Sequence, residues 1–360
     1  FFVNGVPVGD PSGVMPAPTG GTAAQLSINQ SASTAYDLLA FEIDNTALTD
    51  SEIKDSYNDT LGEEFGLLET EVQSLWVGAL GSDGVTVAAP LSHASDAVRL
   101  AVTGPGGTVY SSPVDIDHGV AAKLTITGLA ADTAHTYEIQ SEGETLPGPT
   151  GSFRTAPTGN ASFTMAFSGD AQSGSNHLSF DAIRLIEPLF FLHLGDAHYH
   201  DIATNDPAAF RSAFDEIFRQ PRQADLYANI PTAYVPDDHD YGANNSNASS
   251  ASKPAAMATY RARVPHYPLP DTSPTGSVYQ TFDIGRVRFL VTDQRSAASA
   301  DSATDNSSKT MLGSAQKTWF KDLLSNSSGM LIVWCCPRQF QQAVTSGSDQ
   351  RQDQNLDSST

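Results

Sequence analysis

Phe163-Thr-Met-Ala-Phe-Ser-Gly-Asp170, Leu189-Phe-Phe-Leu-His-Leu-Gly-Asp-Ala-His-Tyr-His200 and Pro231-Thr-Ala-Tyr-Val-Pro-Asp-Asp-His-Asp-Tyr-Gly242 each run from a short apolar stretch into acidic residues. Apolar runs of this length read as buried strands, and the segments between them as helices. In open α/β sheets ligands gather beyond the carboxyl ends of the strands. Asp170, Asp196, Asp238 and His239 should therefore converge on one rim. Carboxylates crowded together need a positive charge among them or must take up protons. Bound metal is the simplest remedy, and Asp and His suit Fe, Mn, Zn or Ca. A carboxylate that bridges two ions lets them share an activated water and clamp an in-line displacement at phosphorus. Asp196, on a tight Gly-Asp turn, is best placed for that bridge, and His239 could protonate the departing oxygen.

On either side of this stretch the period changes. Residues 1–21 are rich in Gly, Pro and Ala and read as an extended lead-in. Residues 35–71 read as helical: Thr49-Asp-Ser-Glu52 has capping-box spacing, with Ile53, Tyr57 and Leu61 following at i, i+4 and i+8. From about residue 74 the period becomes two, and segments at 74–80, 85–88, 98–102, 109–112, 122–127, 135–140 and 151–155 read as strands of a β-sandwich. Residues 156–159 form a linker. Next come a helix carrying Leu178, Ile183 and Ile186, and a second capped by Asp206-Pro207 with Phe210, Phe214, Ile217 and Phe218 on one face. A polar Ser/Asn/Ala loop, a hairpin around Ile284-Gly285, a helix over 314–324 and a strand over 330–334 complete the pattern, and 341–360 reads as a polar tail.

The balance of 19 Lys plus Arg against 41 Asp plus Glu gives a formal charge of −22. Such a surface disfavours nucleic acid and anionic membrane, so a phosphate site must be carried by metal charge. No apolar run is long enough to span a bilayer. The start at Phe1 fits a mature form after removal of a targeting peptide, or a fragment, and Asn-x-Ser/Thr triplets at Asn29, Asn58, Asn160, Asn244, Asn247, Asn306 and Asn326 fit a secreted, extracellular or periplasmic protein that could be glycosylated. Cys335 and Cys336, adjacent on an apolar strand, read as buried thiols.

Gly195-Asp-Ala-His-Tyr199 resembles the Gly-Asp-x-x-Tyr motif of purple acid phosphatases. Asp237-Asp-His-Asp240, followed by Gly242 and Asn244-Asn245, resembles the Asp-Asp-His-Glu/Asp motif of alkaline phosphatase D. Both belong to the calcineurin-like metallophosphoesterases, and the likeness extends through Arg288-Phe-Leu-Val-Thr-Asp-Gln-Arg295 to Leu312-Gly-Ser-Ala-Gln-Lys-Thr-Trp-Phe320. Residues 123–137 resemble a fibronectin type III pattern, with Tyr137 at the corner-tyrosine position. The resemblance implies a multidomain chain: an N-terminal segment (1–72), a fibronectin III-like β-sandwich (73–156), an αββα-layered metallophosphoesterase domain (157–340) and a tail (341–360). It implies two metal ions, Fe with Ca, Zn or Mn, held by Asp170, Asp196, Tyr199, Asp238 and Asn244, with His239 as acid and Arg295 as a phosphate contact. The substrate would be a phosphate mono- or diester, and the sandwich would offer a surface for extracellular protein or glycan. The family closes its site with later histidines, and none follows His266 here. The catalytic domain is therefore expected to be incomplete at its C-terminus. The alternative reading is a catalytically inactive, phosphatase-like extracellular protein with a structural or adhesive role.

Overall fold

The computed structural model describes residues 2–3, 6–7 and 69–338. Strands β1 (Phe2–Val3) and β2 (Val6–Pro7) pair antiparallel. The helix expected over 35–71 lies, up to residue 68, outside the described residues, as does the tail over 341–360.

Residues 71 onward form one compact unit. Its first part is antiparallel. β3 (Trp76–Gly78), β4 (Val85–Pro90) and β8 (Ala121–Ile126) make one sheet. β5 (Ser95–Gly104), β6 (Gly107–Tyr110), β7 (Val114–Ile116), β9 (Ala134–Ser141), β10 (Glu144–Thr145) and β11 (Gly151–Arg154) make the other. The period-two pattern works as expected: Ala122, Leu124 and Ile126 of β8 and Tyr137 and Ile139 of β9 point into one apolar core with Val85, Val87, Leu100 and Val102. β7 and β10 had no counterpart in the sequence reading, because strands of two or three residues leave no legible period.

This sandwich does not hang on its linker. Trp76 turns away from its own sheet and sits among Phe214, Phe218, Tyr227 and Tyr234, with ring centroids 5.1 to 6.1 Å away. Gly78 passes so close to Thr232 and Pro265 that a Cβ would lie 2.7 Å from both carbonyl oxygens, which excludes a larger residue. Tyr137 departs from the corner-tyrosine expectation: its hydroxyl donates to the Ala228 carbonyl, 2.8 Å away, outside the sandwich. That carbonyl lies in the last turn of a helix, where it has no intrahelical donor, so the tyrosine satisfies it.

The second part carries β12 (Met165–Ser168), β13 (Phe190–His193) and β14 (Thr232–Tyr234) in one parallel sheet. β15 (Gln280–Ile284), β16 (Val287–Val291) and β17 (Leu331–Cys335) form another. The β15–β16 hairpin turns at Gly285, whose φ of 58° favours glycine. Phe282 stacks on Phe289 at 4.7 Å, and Phe190 meets Phe289 edge-on at 5.2 Å, so an aromatic layer joins the two sheets. α1 (Leu178–Leu185) and α3 (Pro221–Asn229) cover the first sheet through Phe180, Phe191, Leu226 and Ile230. α6 (Gly313–Ser325) covers the second, with Phe320 against Trp334 at 4.7 Å. The layers thus run helix, sheet, sheet, helix. α2 (Pro207–Phe218) starts at the Asp206 cap and buries Phe210, Phe214 and Ile217 as its stripe requires.

Several expectations change. α5 (Lys253–Arg263) forms within the segment read as a polar loop, started by Pro254 and buried through Ala255, Ala256, Met257 and Tyr260; its small alanines gave no apolar stripe to read. β12 is not buried on both faces: among the described residues it pairs only with β13, and Phe167 is 69% exposed. In α1, Phe180 carries the burial, whereas Leu178 and Ile186 are exposed. Cys335 is buried and Cys336 half-buried, neither is in a disulfide, and burial pushes the Cys335 thiol up to about 12.

Tyr137→Phe should lower the unfolding free energy by about 1–2 kcal/mol, because it orphans a buried carbonyl, while urea unfolding stays a single transition. A separate early transition from the sandwich would contradict the shared core.

Candidate metal centre

The three parallel strands bring their carboxyl ends to one rim, and the loops that leave them contain turns that few residues can make. Asp170, Asp196, Asp201 and Asn245 all have left-handed φ, between 51° and 59°. Non-glycine residues in this region are uncommon, and they cluster where a site dictates the backbone. Gly195 has φ 93°, and a Cβ there would lie 2.6 Å from the Asp237 Cβ, so the turn after β13 fits against the one after β14 only without a side chain.

Asp237-Asp-His-Asp240 forms a four-residue helix, α4 (Asp238–Tyr241), closed by a capping box between Asp237 and Asp240. Asp240 also reaches across to the neighbouring turn. It accepts from the backbone N–H groups of Asp196 at 2.5 Å, Ala197 at 2.7 Å and His198 at 3.3 Å, and from Asp237 at 3.0 Å. These bonds favour its charged form, yet burial outweighs them and raises its pKa. Asp240 therefore fixes the Gly195-Asp196 turn and is not free to bind anything else.

Asp196 is 5% exposed. Burial, then the charges of Asp240, Asp237 and Asp238, push its carboxyl up to about 9. One ligand atom from each of Asp196, Asp238 and His239 lies within 4.8 Å of the other two. On the other flank, the Tyr199 hydroxyl donates to Asp170 Oδ1 at 3.0 Å and also interacts with the Asp196 carboxylate. Burial, with Asp196 and Asp170 beside it, raises the Tyr199 pKa above its ordinary value. Asp196 is thus the carboxylate common to both groups.

His239 is held from two sides. Its Nδ1 lies 2.7 Å from Asp201 Oδ1, and its ring lies 4.3 Å from that of Tyr199. Asp201 escaped the sequence reading because no motif position marks it; its left-handed φ shows only in the backbone. The asparagine is shifted by one from expectation. Asn244 is exposed, whereas Asn245 donates its backbone N–H to Asp238 Oδ2 at 2.6 Å and keeps a buried side-chain Oδ1 without a partner. Arg295, expected to contact phosphate, is 2% exposed and is committed to Asp237 at 2.5 Å and Asp238 at 3.0 Å. His198 is no rim residue: it is fully buried near Phe214, and burial lowers its pKa to about 3. His200 is exposed and bonds Glu216, while His177 caps α1 and His193 is buried in β13.

The donor set fits a hard or borderline cation. Carboxylate and imidazole donors converge, the orphaned Asn245 oxygen lies in the same turn, and Asp196 lacks the positive partner that Asp237 and Asp238 find in Arg295.

Residues 167–359 match the PhoD-like phosphatase family. Among solved structures, "Structure of PhoD" aligns at 18% identity with a TM-score of 0.63, over 73% of this chain and 61% of that one. The purple acid phosphatase PPD1 of yellow lupin (Lupinus luteus) seeds aligns at 13% identity with a TM-score of 0.49, over 71% of this chain and 48% of that one. The chain thus spans less than two thirds of either, and the likeness to the PhoD structure establishes a shared fold. No curated protein matches the chain.

A carboxyl with its pKa raised by folding stabilises the fold below its unfolded pKa and loses that contribution as pH rises through the folded value. The metal-free protein should therefore lose about 1–2 kcal/mol between about pH 7.5 and pH 9, above the range where histidines titrate. Asp196→Asn should flatten that slope in denaturant titrations; an equally steep slope in the variant would remove Asp196 as its source.

Proposed function

The chain belongs to the PhoD-like phosphatase family, and on that premise we propose that it hydrolyses phosphate mono- or diesters at a centre of two metal ions. The observation that carries this reading is the position of Asp196 between the Asp170–Tyr199 pair and the Asp238–His239 pair. Asp170, Tyr199 and Asp196 would hold one ion, and Asp196 and Asp238, with the Asn245 amide oxygen in place of Asn244, the other. When bound, the ions supply the charge that activates a water for in-line attack and neutralises the phosphoryl oxygens. That charge is needed all the more against a net charge of −22.

The side chains supply the rest. Asp196 orients both halves of the site, because its own turn is fixed by Asp240 through backbone bonds. His239 stands at the rim with Nδ1 directed to Asp201, which leaves Nε2 to hand a proton to the departing oxygen. A carboxylate behind an imidazole fixes its tautomer and orientation. The identity of the ions stays with the donor chemistry: the phenol suits iron, and the carboxylates suit Ca, Zn or Mn.

Turnover of an aryl phosphate, with metal content measured in parallel, tests the reading. Chelation should abolish turnover and metal addition restore it, while Asp196→Asn should lose both metal and activity with the fold intact; metal-free protein with undiminished turnover would overturn it. His239→Ala should slow alkyl phosphates by about 10²–10⁴-fold and p-nitrophenyl phosphate far less, because only the alkoxide needs a proton. Equal losses on both would assign the imidazole to holding metal.

We also place the protein outside the cytoplasm, on its acidic surface and its Asn-x-Ser/Thr triplets, of which Asn160, Asn244, Asn306 and Asn326 are exposed. Mass spectrometry of the native protein should find it in the extracellular or periplasmic fraction. Recovery from the cytoplasmic fraction alone would rule this out.

A further inference from the structure

Arg295 lies in the loop after β16 of the second sheet, yet its ion-pair partners, the cap Asp237 and the first residue of α4, Asp238, follow β14 of the first. Its Nε donates to Asp237 Oδ1 and its Nη2 to Asp238 Oδ1. The residue is 2% exposed, so a substrate oxygen reaches its guanidinium only by displacing a carboxylate. Its backbone is anchored in turn. Asp293 Oδ1 accepts from the Arg295 N–H at 3.0 Å and the Ser296 N–H at 2.9 Å, and Asp293 Oδ2 accepts from the Val278 N–H at 3.0 Å and from the Ser296 hydroxyl. Gln316 of α6 holds both backbone groups of Asp293, at 2.9 and 2.8 Å. Every member of this chain from α6 to Asp238 is buried except Asp237, which keeps 14% of its side chain exposed.

We infer that Arg295 is a positioning residue for the metal centre: a fixed internal cation that aims the free lone pairs of Asp238 at the ion site and touches no substrate. Asp238 has two oxygens, one held by Arg295 and the other by the Asn245 backbone. Each carboxylate oxygen keeps a second lone pair, and with both oxygens anchored those remaining pairs point in fixed directions. Arg295 also sets Asp237 apart. By pairing with it, the guanidinium keeps Asp237 as a partner of the loop after β16, while Asp238 brings a ligand atom within 4.8 Å of those of Asp196 and His239. Lysine would keep the charge but lose the fork that spans two carboxylates.

This inference rests on the metal-centre reading, and its test separates the two. Binding of Mn²⁺ and Zn²⁺ to the chelated, refilled protein is measured by calorimetry for wild type, Arg295→Gln and Arg295→Lys, with KM for p-nitrophenyl phosphate measured at saturating metal. Outer groups that orient ligands typically matter 10–100-fold in metal affinity. Arg295→Gln should therefore weaken binding by about tenfold or more and Arg295→Lys by less, with KM at saturating metal unchanged. A KM that rises while metal affinity stays at the wild-type value would restore Arg295 as a phosphate contact and overturn the proposal. Should Arg295→Gln fail to fold, Arg295→Lys decides by the same pair of readouts. Wild type that binds neither ion would instead remove the metal centre itself.

Discussion

Five carboxylates meet at the rim of one buried sheet, and the electrostatic cost of bringing them there shapes everything around them. Asp240 is hydrogen-bonded by backbone donors, Asp237 and Asp238 share the charge of Arg295, and Asp170 accepts from a phenol at the surface. Asp196 has only neutral donors, the Tyr199 hydroxyl and the His239 backbone N–H, and burial together with the neighbouring carboxylates pushes its carboxyl up. The arrangement makes sense if the missing counter-charge comes from outside the chain. Each of the other pairings then serves to reserve this one vacancy in the charge balance for a cation.

Position is enforced by the backbone as much as by charge. Left-handed φ at Asp170 and Asp196, just past β12 and β13, and at Asp201 and Asn245 in the loops beyond, places strained residues around the site. Such residues persist only where surroundings over-determine them. Here the surroundings are identifiable: Asp240 ties the Asp196 turn, the bare Gly195 admits Asp237, and the Asn245 N–H ties its own turn to Asp238.

Much of this was legible beforehand. Strand-end acids, the aromatic face of α2 and the β15–β16 hairpin follow from period and turn chemistry, which act locally, whereas the layer order came from the family resemblance. What escaped depends on contacts between distant residues. Nothing in the order of Asn244 and Asn245 reveals which of them a left-handed turn directs inward. Arg295 stands in a stretch that resembles its counterparts elsewhere, but its direction is decided by Asp237 and Asp238, 58 and 57 positions away in the chain. Asp201 carries no motif, and α5 is too rich in alanine for an amphipathic stripe. Tyr137 was assigned to the corner of its own sandwich, whereas an unfilled carbonyl on α3 offered a better partner.

Trp76 belongs by sequence to the sandwich and by contact to the aromatic cluster of the other half, where Phe214, Phe218, Tyr227 and Tyr234 surround it. Severing the chain at the 156–159 linker would consequently not release two modules. It would leave one piece with an unplugged aromatic socket beneath the strand that delivers Asp238, and the other with a bare indole. Grafting a different sandwich onto the second half would have to recreate that plug, so the seam between them cannot serve as a cut site.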